Sequence, residues 1–210
     1  MDIKIKIEKL AEKYSCELNS KVLERMEAMK DDDMSHFLIY QVLGIADQEG
    51  RLIDLYQNKG RFLYKYAGSF LEEAAILCFQ SKFKNARKLR VVNTLGTRPK
   101  TFEIDCLVDN NAYEIKWRDA TTDGDHITKE HTRVKVIQGY GYKPIRVMFY
   151  YPNREQAIKI QRTLETLYKG VDGLYIYGEE AWQYMKESTD VNLKQILLDI
   201  ASYNQKKRNG

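Results

Sequence analysis

The chain is poor in the residues that punctuate or staple a fold. It has three prolines, three cysteines and no long apolar run among its 210 residues. Cys16, Cys78 and Cys106 are odd in number, far apart and without any C-x-x-C spacing. That pattern argues against a disulfide framework and a zinc site, and it suits a reducing, cytoplasmic setting. No window approaches the ~20 apolar residues that span a bilayer, so no membrane partner is expected. Met1 to Lys13 alternates Lys and Ile without the apolar core of a signal peptide, and the chain reads as soluble and unprocessed. Charge of one sign is also scarce: Lys+Arg exceed Asp+Glu by only 34 to 30, a net charge of +4. So small an excess does not announce a nucleic-acid binder by itself.

What is present is a globular composition, 43% hydrophobic and 30% charged, which excludes disorder and predicts one compact domain with modest helical additions. Residues 5 to 30 carry apolar side chains at helical spacing (Ile7, Leu10, Tyr14, Leu18, Val22, Met26), and Asp31-Asp32-Asp33 interrupts the pattern. Shorter helices are expected around Ser35 to Leu43 and Asp47 to Asn58, with a stronger one after Gly60, from Phe62 to Phe83. From Lys88 onward β-branched and aromatic residues cluster, predicting strands at Leu89 to Val92, Thr101 to Val108, Ala112 to Trp117, Ile145 to Tyr151 and Leu174 to Tyr177. Helices are expected at Ile127 to Gln138, Asn153 to Tyr168, Glu179 to Glu187 and Val191 to Tyr203, with a frayed basic tail from Gln205. The order implies an α/β fold, a mixed β-sheet flanked by helices, behind a largely helical N-terminal region.

The chemistry concentrates in Thr101 to Trp117, where two strand-like runs meet at Asp109-Asn110-Asn111. With Asp109-Asn110 as the loop, Asp105 lies across from Glu114; with Asn110-Asn111, it lies across from Lys116. Either register puts all three side chains on one face. Opposed carboxylates with Cβ atoms roughly 5 Å apart repel by about 3 kcal/mol at an effective dielectric of about 20. A cation between them removes that penalty, and hard carboxylate oxygens suit Mg²⁺. Lys116 could then orient or deprotonate an attacking water, or stabilise charge growing on a phosphorane. The rival reading is a solvated hairpin face with one cross-strand ion pair.

Ile104-Asp105 followed by Glu114-Ile115-Lys116 resembles the PD-(D/E)xK nuclease motif, with Ile104 in place of the proline. Glu114-Ile-Lys116 is the one Glu-x-Lys in the chain. Gly68-Ser-Phe-Leu-Glu72-Glu73 is similar to the helix that carries an auxiliary carboxylate in that superfamily. Of the two glutamates, Glu72 shares its helical face with Ala75, Ile76 and Phe79, and is the candidate over Glu73. The wording of these segments, with Glu-Ile-Lys-Trp-Arg-Asp-Ala-Thr-Thr-Asp-Gly-Asp-His-Ile-Thr-Lys-Glu-His after the hairpin, is similar to the ApaLI-like type II restriction endonucleases.

The resemblance implies a restriction-endonuclease-like core at residues 61–178, a helical region at 1–60 for dimerisation or DNA clamping, and C-terminal helices at 179–210. It implies a bacterial, cytoplasmic, Mg²⁺-dependent homodimer that hydrolyses double-stranded DNA at the palindromic hexamer GTGCAC. Asp105, Glu114 and Glu72 would hold metal and Lys116 would assist the water. The polar stretch after the hairpin (Arg118, Asp119, Thr121, Thr122, Asp123, Asp125, His126, Lys129 and Arg133) carries the side-chain types that contact bases or phosphates. His126 and His131 are five apart and do not form a helical metal pair, and His36 reads as structural. Two alternatives stay open: a structure-specific nuclease of the junction-resolvase kind, and a DNA-binding domain without catalysis.

Overall fold

A computed structural model describes residues 2–118 and 125–209, the side chains of 208 and 209 excepted. Its elements are α1 (Ile3–Ala28), α2 (Phe37–Val42), α3 (Asp47–Lys82), β1 (Arg87–Val92), β2 (Thr101–Val108), β3 (Asn111–Arg118), α4 (Asp125–Gly139), β4 (Lys143–Tyr150), α5 (Glu155–Lys169), β5 (Leu174–Tyr177), α6 (Glu179–Thr189) and α7 (Leu193–Asn209). The fold is the expected α/β class, a mixed sheet flanked by helices with a helical N-terminal region. Among the described residues, no helix is long and apolar enough to cross a membrane.

Compactness divides the chain into two units, Glu8–Phe70 and the remainder. The Glu8–Phe70 unit is helical. Tyr14 packs edge-on against Tyr66 and Phe70, with ring centroids 6.2 and 6.0 Å away. Asp54 gathers His36 at 3.0 Å and the Tyr40 hydroxyl at 2.8 Å.

The larger unit is built on one five-stranded sheet of order β1-β2-β3-β4-β5. β1, β2 and β3 form an antiparallel meander, whereas β3, β4 and β5 run parallel and are linked through α4 and α5. β3 is therefore antiparallel to one neighbour and parallel to the other. Six consecutive positions of β4 are buried, as befits a parallel strand covered on both faces. On one face, Val134 of α4 and Ile160, Leu164 and Tyr168 of α5 pack with Met148 and Tyr175. On the other, Phe79 of α3 lies 4.4 Å from Tyr113 and Trp182 of α6 lies 4.2 Å from Phe149.

The β2–β3 turn fixes the register. Asp109 takes φ 51°, which its residue type tolerates, and Asn85 donates to its carboxylate at 2.8 Å. The pairs Val108↔Asn111, Leu107↔Ala112 and Cys106↔Tyr113 correspond to the Asp109-Asn110 loop, which sets Asp105 opposite Glu114.

Two local expectations are corrected. The helices expected on either side of Gly60 are one 36-residue helix, because each of its glycines, Gly50, Gly60 and Gly68, costs only about 1 kcal/mol relative to alanine and flanking hydrogen bonds outweigh it. The C-terminal segment expected to fray continues as helix to Asn209.

Gly173, between α5 and β5, has no room for a side chain: a Cβ there meets the Pro144 carbonyl oxygen at 2.5 Å and that of Tyr168 at 2.9 Å. Gly173→Ala is expected to destabilise the protein by about 1–3 kcal/mol, measurable as a lowered midpoint in urea unfolding; an unchanged midpoint would refute this close approach.

Candidate active site

Asp105 on β2 and Glu114 on β3 stand side by side within the sheet, each only 7% exposed. Asp105 Oδ2 accepts the backbone N–H of Ile115 at 2.8 Å, so its side chain takes a ladder donor and is fixed by the neighbouring strand. Both oxygens of Glu114 are met by cations. Lys116 Nζ sits 2.5 Å from Oε1, and the Arg133 guanidinium binds Oε2. Lys116 keeps 34% of its side chain exposed, whereas Arg133 keeps 8%. One of the two cations is therefore reachable from solvent.

These surroundings drive the two carboxyls apart. Burial, and then the charge of Glu114, push the Asp105 pKa up to about 7. Burial also disfavours the Glu114 carboxylate, but Arg133, Lys116 and Arg146 outweigh it and hold that group well below the usual range. Burial would lower the Lys116 pKa, yet Glu114 and Asp105 keep it raised, so the lysine is an ammonium. Paired carboxyls with opposite displacements are a common mark of sites that do acid–base or metal chemistry.

Behind Glu114 lies a buried network that the sequence reading did not anticipate. Glu130 of α4 accepts from the Tyr168 hydroxyl at 2.6 Å, from Arg133 at 3.1 Å and from Arg146 at 3.4 Å, all on Oε1. Arg133 also donates to Tyr168 Oη at 3.3 Å and to the Glu103 carbonyl at 3.2 Å. Arg146, fully buried in β4, pairs with Glu114 across the parallel ladder. A signal was available: an arginine in the otherwise apolar run Pro-Ile-Arg-Val-Met-Phe demands a buried anion.

The other expected residues distribute unevenly. Glu72 is bound by Lys88 of β1 at 2.5 Å and is close enough to Asp105 to contribute to its raised pKa. Lys88 also lies 3.8 Å from Glu103, placing a second, half-exposed cation at the edge of the site. Arg118 ends β3 half-buried, His126 is half-buried in the first turn of α4, and Asp125 and Lys129 are exposed. Arg133, expected among the DNA contacts, is instead buried with its donors directed at Glu114, Glu130, Tyr168 and Glu103. Asp119, Thr121, Thr122 and Asp123 lie outside the described residues.

Among the described residues, no group of three or more His, Cys, Asp and Glu is arranged to hold a metal ion. The Asp105–Glu114 pair still fits a hard cation in donor type. It offers two buried carboxyl groups, and a cation would offset both the burial and the Glu114 charge that raise the Asp105 pKa. Such a two-carboxylate site would be completed by water and phosphate oxygens.

The model of the ApaLI-like restriction endonuclease family matches residues 1–202, nearly the whole chain. Comparison with curated proteins and with solved structures found no match. With the match extending across the helical region, the Asp105, Glu114 and Lys116 hairpin and the helices that follow, the chain belongs to the ApaLI-like restriction endonuclease family.

Proposed function

We propose that this endonuclease hydrolyses phosphodiester bonds of double-stranded, palindromic DNA with Mg²⁺, and that Asp105 and Glu114 hold the metal. The observation that carries the reading is the buried carboxylate pair on adjoining strands, with Lys116 reaching from the same face to solvent. The ion would supply Lewis-acid polarisation of the phosphate and a more acidic water. Lys116, as an ammonium two residues along the strand from Glu114, orients the attacking water and stabilises negative charge developing at phosphorus. Glu72 serves as an auxiliary carboxylate once Lys88 engages a phosphate instead. Arg118, Asp125, His126 and Lys129, with Asp119, Thr121, Thr122 and Asp123, form the segment that contacts bases and phosphates.

A palindromic target has two-fold symmetry, and a homodimer matches it. The helical unit supports that assignment: Leu38 and Ile39 of α2, and Val42 and Leu43 at its end, are 63%, 59%, 73% and 73% exposed. So concentrated an apolar surface is a usual mark of an interface. Val42→Glu combined with Leu43→Glu is expected to convert the dimer to monomer in light scattering without unfolding it; a dimer that persists would place the interface elsewhere.

Asp105→Asn and Lys116→Ala are each expected to slow cleavage of plasmid DNA about a thousandfold or more while DNA binding survives. A fully active Asp105→Asn protein would sink the assignment. Discrete fragments from unmethylated plasmid fit restriction, and cleavage confined to branched DNA would fit a junction-resolving nuclease instead.

A stability prediction follows from the raised Asp105 pKa. The folded protein holds the Asp105 proton up to about pH 7, whereas the unfolded chain releases it near pH 4, so this group lowers stability as pH rises between those values. In metal-free buffer Asp105→Asn is therefore expected to raise Tm at pH 8 and to raise it markedly less at pH 5. A larger gain at pH 5 would contradict the assignment.

A further inference from the structure

We infer that Arg133, locked by Glu130, is a positioning residue that pins one oxygen of Glu114 and leaves the Lys116-facing oxygen as the point through which that carboxylate meets a cation. This rests on the metal-nuclease reading above and adds the device that orients its ligand.

The two cations on Glu114 differ in kind. Lys116 is a single ammonium on a flexible stem, one third exposed, and can withdraw into solvent. The Arg133 guanidinium is buried, stays protonated and is held at several points at once: Glu114, Glu130 at 3.1 Å, Tyr168 at 3.3 Å and the Glu103 carbonyl at 3.2 Å. Glu130 is itself immobilised by Tyr168 at 2.6 Å and Arg146 at 3.4 Å. Oε2 of Glu114 is thus committed to a rigid partner, and Oε1 to a replaceable one.

With Asp105 ionised, the cluster is balanced in charge, Asp105, Glu114 and Glu130 against Lys116, Arg133 and Arg146. Removing one member tips that balance with a definite sign. Arg133→Met leaves one surplus negative charge, so the pair holds a divalent cation more tightly while Glu114 loses its orientation. Glu130→Gln leaves one surplus positive charge and weakens the cation. Arg133→Lys keeps the charge and loses the fork.

Titration calorimetry with Ca²⁺ on the full-length protein, alongside the Mg²⁺ dependence of plasmid cleavage, tests this. The expected results are Ca²⁺ affinity raised about tenfold in Arg133→Met, lowered about tenfold in Glu130→Gln and unchanged in Arg133→Lys, with turnover reduced in all three. Melting curves report whether each variant folds, and Glu130→Gln and Arg133→Lys decide the matter if Arg133→Met does not. Affinity falling in both Arg133→Met and Glu130→Gln, as general loosening of the core would cause, overturns the clamp. So does wild-type turnover in Arg133→Lys. Ca²⁺ binding by Asp105→Asn equal to that of the wild type overturns the underlying metal site, and the clamp with it.

Discussion

A carboxylate taken out of water must be met by positive charge, and at Glu114 that requirement organises much of the sheet. Removing an ion from solvent costs several kcal/mol even after the protein relaxes. Glu114, 7% exposed, offsets that cost with Lys116 from its own strand and Arg133 from α4. Arg133 is buried in turn and needs Glu130; Glu130 recruits Arg146 from β4 and Tyr168 from α5. One charge on β3 thereby ties together two strands and two helices, each link existing because the previous one would otherwise stand uncompensated in the interior.

The sheet topology makes this possible. β3 lies between an antiparallel and a parallel neighbour, so it receives Asp105 from the hairpin side and Arg146 from the crossover side. Side-chain alternation sends Tyr113 toward Phe79 of α3 and Glu114 toward Arg133 of α4, giving one strand an aromatic face and a charged one. Register decides the chemistry. The alternative loop would have set Asp105 against Lys116, a simple ion pair; the loop around Asp109 sets two carboxyl groups together, and burial, with the Glu114 charge added to it, raises the Asp105 pKa to about 7.

Much of this was legible in the sequence, for physical reasons that differ by element. The hairpin and the shared face of its three candidate residues could be read because strand alternation and turn chemistry are local. All five strands lie where β-branched and aromatic clusters put them, within a few residues at their ends. The break expected at Gly60 is absent because a helix of 36 residues tolerates a few scattered poor formers. The Glu130–Arg146–Tyr168 network was missed because its members come from three elements and meet only after folding. Arg133 looked like a surface contact because its polar neighbours in sequence face solvent while it does not. In the helical unit Leu38, Val42 and Leu43 are exposed.

The membership in a restriction endonuclease family and the geometry of the hairpin both support the proposed centre of hydrolysis. The assignment of Lys116 to the water, Glu114 to the cation and Arg133 to the orientation of Glu114 depends on where a divalent ion sits. Anomalous diffraction from crystals of the full-length protein grown with Mn²⁺ and duplex DNA locates it directly. The account predicts an Mn²⁺ peak within ligand distance of Asp105 and Glu114, with Glu114 still held by Arg133 and the Lys116 ammonium moved off that carboxylate toward the phosphate. A peak at other carboxylates, in crystals whose DNA is cleaved, would contradict it.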